Sequence, residues 1–97
     1  MPGYFDWNEA NVGHIEEHGL TPEDVEDALR DPRRISVPAY RSADERRWGV
    51  VGETQSGRLL FVVLTRRGQL TRVVTARDAN SEERRRYRQR RSKGRKR

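Results

Sequence analysis

The chain has no cysteine. That excludes a disulfide scaffold and any zinc site built on thiolates, and it fits a reducing compartment. Apolar residues are scarce, at 32% of 97 residues against 37% charged. So lean a composition supports one small domain with a single thin core. No apolar run reaches the length of a membrane span. The N-terminus lacks the basic start and apolar middle of a signal peptide, so a soluble, cytoplasmic protein with no membrane partner is expected. A glycine-rich phosphate loop and a helix-borne zinc motif are both missing, and no Ser-His-acid set points to acyl transfer. There is no internal repeat and no long linker.

Acidic residues are also absent from one whole stretch. Residues 84–97, RRRYRQRRSKGRKR, hold ten Lys or Arg and no acid, whereas residues 1–83 hold the other 11 basic residues and all 15 acids, a balance of 11 − 15 = −4. A mildly acidic body thus carries a strongly basic tail. Such a tail suits electrostatic attachment to nucleic acid, and a solvated, disordered terminus has the same composition. Nineteen of the 21 basic residues are Arg, the cation that matches phosphate through paired hydrogen bonds.

The N-terminal half carries helix signals. Residues 7–18 predict a first helix, closed by Gly19, which supplies a left-handed cap. Thr21-Pro22-Glu23-Asp24 opens a second, with Thr21 as cap, Pro22 at the first helical position and acids at the positive end of the dipole. Asp31-Pro32 stops it. Strand signals follow. Ile35–Tyr40 is a short candidate with Pro38 marking an edge, and Arg46–Gly52 is a second. Leu59–Thr65 is the strongest candidate, and its unbroken apolar run implies cover on both faces. Leu70–Ala76 is the fourth, joined to the third by a tight Arg66–Gly68 turn. Asn80 or Ser81 then caps a last helix that has Tyr87 and little else apolar, so weak docking is expected. The order α-α-β-β-β-β-α predicts an α+β domain, a four-stranded antiparallel sheet packed against helices.

Three groups of residues carry candidate chemistry. The fourth strand bears Arg72 along it and Arg77 at its end, with Arg67 at its start, and guanidinium groups on a rigid sheet suit an RNA phosphate. Trp7, Asn11, His14 and His18 fall at i, i+4, i+7 and i+11, within about a 60° arc of a helix. They form either a stacking and proton-transfer surface or a core Trp7, an Asn11 bonded to local backbone and a His18 closing the helix. Glu45-Arg46-Arg47-Trp48 places Glu45 and Arg47 on one face of a strand. That pattern fits either an edge strand with its charges outward or a Glu45 near the arginines of the fourth strand, as a base or as a group that holds a guanidinium in place.

The order Trp7-Asn8-Glu9, His18-Gly19, Glu45-Arg46, Gly52, Gly57-Arg58-Leu59-Leu60, Thr65-Arg66-Arg67-Gly68, Arg72 to Arg77, Glu83-Arg84 and Tyr87 resembles the BrnT family of bacterial toxins. The resemblance covers about residues 5–88, and its most specific part is the hairpin from Gly57 to Ala79. The Trp-to-His-Gly spacing is one residue shorter than the commoner family pattern, His14 stands where that pattern usually has Asn, and the basic tail is longer. These departures mark a divergent branch. The resemblance implies a RelE-like domain over residues 1–88, with residues 89–97 as a basic, disordered tail. It further implies the toxin half of a type II toxin–antitoxin pair, a metal-independent endoribonuclease without a cofactor. In such an enzyme the 2′-hydroxyl attacks the adjacent phosphate. The catalytic candidates are then Glu45, Arg67, Arg77 and His14. Arg67 and Arg77 would stabilise the phosphorane, with Glu45 as base or Arg-orienting group and His14 as an alternative proton carrier. Trp7, Arg47 and Arg72 are the candidates for substrate binding, with Trp7 either stacking a base or anchoring the first helix. Implied partners are RNA, a ribbon-helix-helix antitoxin, operator DNA through that complex, and a second copy in a homodimer. Two other functions fit the same residues: a non-catalytic nucleic-acid-binding module, and a degenerate toxin acting as the protein partner of a ribbon-helix-helix regulator.

Overall fold

The computed structural model describes residues 5–39 and 46–95, with side chains described as far as residue 90. In chain order the elements are β1 (Phe5–Asp6), α1 (Glu9–Glu16), α2 (Pro22–Leu29), β2 (Ile35–Val37), β3 (Arg47–Glu53), β4 (Leu59–Arg67), β5 (Leu70–Asp78) and α3 (Ser81–Arg95). The α+β class holds, with three helices among the described residues. The sheet differs from the four antiparallel strands expected. It has five strands in the order β1-β5-β4-β3-β2, and it is mixed, because β1 pairs parallel with β5 while the other neighbours are antiparallel. A two-residue strand is too short to show an alternation, so nothing in the sequence pattern announces β1. Among the described residues no helix is long and apolar enough to cross a membrane.

Polar side chains set the helix starts. Asn8 accepts from the Asn11 amide at 3.0 Å, and Asn11 accepts from the Asn8 amide at 2.8 Å. This reciprocal cap starts α1 two residues later than expected. Thr21 and Asp24 cap α2 in the same way, with Pro22 opening the helix. Asn80 and Glu83 do so for α3, with both bonds at 2.9 Å. Gly19 follows α1 at φ +72°, the left-handed geometry that glycine adopts without steric cost.

The sheet separates two apolar clusters. On one face α1 and α2 bring Ile15, Leu20, Val25, Ala28 and Leu29 against Val50, Leu60, Val62, Leu64, Val73 and Ala76. Gly52 lets α2 approach closely, since a Cβ there would stand 2.1 Å from the Ala28 carbonyl oxygen. On the other face Tyr87 of α3 packs with Ile35, Val51, Leu59, Phe61 and Val63. β4 is therefore covered on both faces, as its apolar run requires. Helix α3 is also anchored more firmly than its single aromatic implies. Tyr87 is 1% exposed, and its hydroxyl donates to Asp31 Oδ2 at 2.5 Å, tying α3 to the end of α2.

β4 and β5 form a hairpin whose two-residue turn is Gly68-Gln69, between paired Arg67 and Leu70. Gly68 takes φ +61° and no non-glycine residue among those described has positive φ, as a turn with glycine at its first central position requires. Arg66 and Arg67 thus end β4 rather than form the turn. Farther along, the register slips between Val63 and Leu64: Leu64 faces Val73, but Val63 faces Thr75. Val74 is the extra residue of a β-bulge.

Candidate functional site

The bulge decides which arginines meet. Side chains alternate across a strand, so Arg72 and Arg77, an odd number of residues apart, would point to opposite faces of a regular β5. The extra residue at Val74 resets the alternation. Arg72 pairs with Thr65 and Arg77 with Phe61, both on the face that α3 partly covers. Thr65 also pairs with Arg47 on its other side. Arg47, Thr65 and Arg72 make one row across three strands, and Arg67 stands two residues nearer the hairpin tip. At roughly 4.8 Å between strands the Cα atoms of Arg47 and Arg72 are about 10 Å apart, close enough for two long side chains to converge on one anion.

The arginines of this face are held differently. Arg72 donates from Nε to Asp6 Oδ2 at 3.3 Å. That bond exists because β1 pairs Asp6 beside Arg72, and it leaves the terminal nitrogens of the fork for another acceptor. Arg67 is exposed and has no side-chain hydrogen bond or ion pair among the described residues. Arg47 is half-buried. Between them Thr65 is 1% exposed and spends its hydroxyl on the Arg46 carbonyl at 2.8 Å. Arg77 is the most constrained. Its two terminal nitrogens meet Glu83 at 2.9 and 3.0 Å, one also reaches the Asp78 carbonyl at 3.1 Å, and the guanidinium lies 4.4 Å from the centre of the Phe61 ring. A bidentate pair stacked on an aromatic ring fixes a side chain strongly. Here it clamps the start of α3 to β5.

The other candidates are spread through the fold. His14 is exposed on α1, which lies on the opposite side of the sheet from the arginine row. Trp7 precedes α1, packs against the α1/α2 core and donates from Nε1 to Glu26 at 2.8 Å. Asn11 is buried and donates to the Asp6 and Val73 carbonyls at 2.7 and 3.1 Å, which pins α1 to the sheet edge. His18 follows the helix and is exposed. The helical stripe is thus divided between core, backbone anchoring and surface. Glu45 lies outside the described residues.

Three charged groups take tertiary roles that the sequence does not announce. Asp6 is one, because its partner depends on the unforeseen β1. A second is Arg58, which pairs with Asp78 at 2.6 and 3.2 Å and donates to the carbonyls of His18 and Gly19 at 3.0 and 3.1 Å. It neutralises the end of the chain turn after α1. The Arg58 hydrogen bond, reinforced by its charge, holds the Asp78 carboxyl below its ordinary pKa, and Asp78 in return raises that of Arg58. Asp31 is the third. Burial pushes its pKa up, but the Tyr87 hydroxyl, the Arg33 and Glu53 amides and the Arg33 charge outweigh that and leave it lowered. All three serve the fold, and only Asp6 touches the arginine row.

A family model described as "Ribonuclease toxin, BrnT, of type II toxin-antitoxin system" matches residues 7–83. That span contains the whole row, the hairpin, the bulge and the Arg77–Glu83 clamp. No curated protein matches the chain.

Proposed function

The chain belongs to the BrnT family of ribonuclease toxins of type II toxin–antitoxin systems, and from that premise we propose that it is a metal-independent endoribonuclease whose phosphate site is the open part of the α3 face. The observation that carries this is the register of β3, β4 and β5, which sets Arg72 across Thr65 in one row with Arg47 and beside Arg67. Arg72 is the central cation. Asp6 holds its Nε and leaves the terminal N–H groups to grip a non-bridging phosphate oxygen. Arg67 and Arg47 add charge on either side. Cations fixed before the reaction stabilise the phosphorane without reorganising during it.

In the step itself the ribose 2′-oxygen attacks the adjacent phosphorus, the 2′-proton passes to a base, and the bond from phosphorus to the 5′-oxygen breaks as that oxygen takes a proton from solvent water. The products are a 2′,3′-cyclic phosphate and a 5′-hydroxyl. Glu45, two residues before Arg47 in the chain, is assigned the base. Arg47, the first residue of β3, is thereby a phosphate ligand, so one short stretch of sequence serves both functions. His14, across the sheet, receives no step, Trp7 anchors α1, and Arg77 orders α3 rather than binding substrate. The family implies an antitoxin, and we assign it the ribbon-helix-helix type that shields the arginine face. The test is an RNA cleavage assay of wild type beside Arg72→Ala, with end-group analysis and added chelator. A chelator-resistant cyclic phosphate that disappears with Arg72→Ala supports the proposal. Bound but uncut RNA would favour a non-catalytic binding module.

A further inference from the structure

We propose that α3 is a second RNA-contacting element, one that holds the strand flanking the cleaved bond and contributes affinity rather than chemistry. The inference rests on the ribonuclease reading for the identity of the nucleic acid. Its support is the disposition of charge on a helix whose orientation is fixed. Tyr87 is buried against the sheet and bonded to Asp31, and Glu83 is locked to Arg77. With those two residues turned inward, at about 100° per residue Arg86 and Arg88 leave the helix on either flank of Tyr87, and Arg90 follows one turn later. All three are exposed, and none has a hydrogen bond or ion pair with another described residue.

Their neighbours are already engaged. Arg84 donates to the Ala79 carbonyl and Arg85 pairs with Glu82. No acid follows Glu83 in the sequence, so nothing later in the helix can neutralise these arginines. Like charges at i and i+4, such as Arg86 and Arg90, oppose the helix they sit on, and a polyanion removes that repulsion. The helix crosses the same sheet face that carries Arg47, Arg67 and Arg72. Four residues of β4 separate Thr65, in the arginine row, from Phe61, beneath the Arg77 clamp. That is roughly 13 Å at about 3.3 Å per residue, a gap that a short run of nucleotides bridges. A strand gripped at the row therefore meets α3 as it leaves.

The experiment uses the full chain with Arg86, Arg88 and Arg90 all changed to Gln, a residue of similar helix propensity. Binding is measured to single-stranded RNA methylated at every 2′-oxygen, which lacks the attacking group and so stays intact. At roughly 0.7 per neutralised phosphate, the slope of log affinity against log salt should fall by about 2. On cleavable RNA the triple variant should raise KM severalfold and leave kcat within twofold. An unchanged slope overturns the proposal, as does a fall in kcat at constant KM. Tighter binding of duplex DNA than of RNA, lost in the triple variant, also overturns it in favour of a DNA-contacting helix. The binding arm needs no catalysis. If wild type leaves all RNA uncut, the ribonuclease reading fails while the slope still decides the role of α3.

Discussion

Arg72 and Arg77 stand on one strand and on one face of the sheet, yet they do different work. Among the described residues Arg72 gives a single N–H to Asp6 and keeps the rest of its fork. Arg77 gives both terminal nitrogens to Glu83 and lies over Phe61. Two arginines that look alike in a hairpin are separated by what sits opposite each: a short edge strand with one carboxylate, or a helix start with a carboxylate and a ring. Under the proposed function the first arrangement presents charge to a phosphate, whereas the second uses it in holding α3.

Substitutions can break this comparison. The largest effect is expected from Arg72→Ala, which should cut RNA cleavage about 10²–10³-fold, the scale of losing one fixed transition-state donor, while thermal stability stays near wild type. A drop in melting temperature that accounts for the lost activity would make Arg72 structural. Next is Tyr87→Phe. It removes a buried donor from Asp31 and should cost about 1–3 kcal/mol, read as a lower denaturant midpoint, with kcat unchanged where the variant is folded. Arg77→Ala should be milder. Its pair with Glu83 is 37% exposed on the arginine side, so solvent screening limits the loss to about 1 kcal/mol, visible in urea unfolding. Activity should follow only the folded fraction.

The smallest effect is a pH dependence. The folded pKa of Asp31 is depressed, so its stabilisation is full above the unfolded value near 3.8 and is lost as pH falls through the folded value. Unfolding midpoints should decline below about pH 4. Asp31→Asn should flatten that decline, and an equally steep curve in the variant would assign acid sensitivity to other carboxylates.

Much of the scaffold was legible in the sequence because local chemistry dictates it. Gly19, Thr21-Pro22 and Asn80 mark helix boundaries through capping and φ preference, and the apolar run of β4 demanded two covered faces. β1 was not legible, since two residues carry no period, and without it neither the mixed sheet nor the Asp6–Arg72 bond can be foreseen. The Val74 bulge was equally hidden, for a β-branched residue looks the same inside a regular strand or as its extra member. Arg77 therefore read as one more phosphate candidate when only its place at the end of the strand was visible. The clamp depends on Glu83, six residues on and across a turn. The hairpin arginines share one face of the sheet, but which of them is locked in a clamp and which is left more open is a tertiary property.

The most direct test compares kcat/KM for RNA cleavage by Arg72→Ala and Arg77→Ala, both measured under conditions where circular dichroism shows each variant fully folded. If the open row is the phosphate site, Arg72→Ala should be at least about tenfold less active than Arg77→Ala, a barrier difference of about 1.4 kcal/mol or more. Equal activities, or a larger loss in Arg77→Ala, would contradict the division and move the site to the α3 clamp.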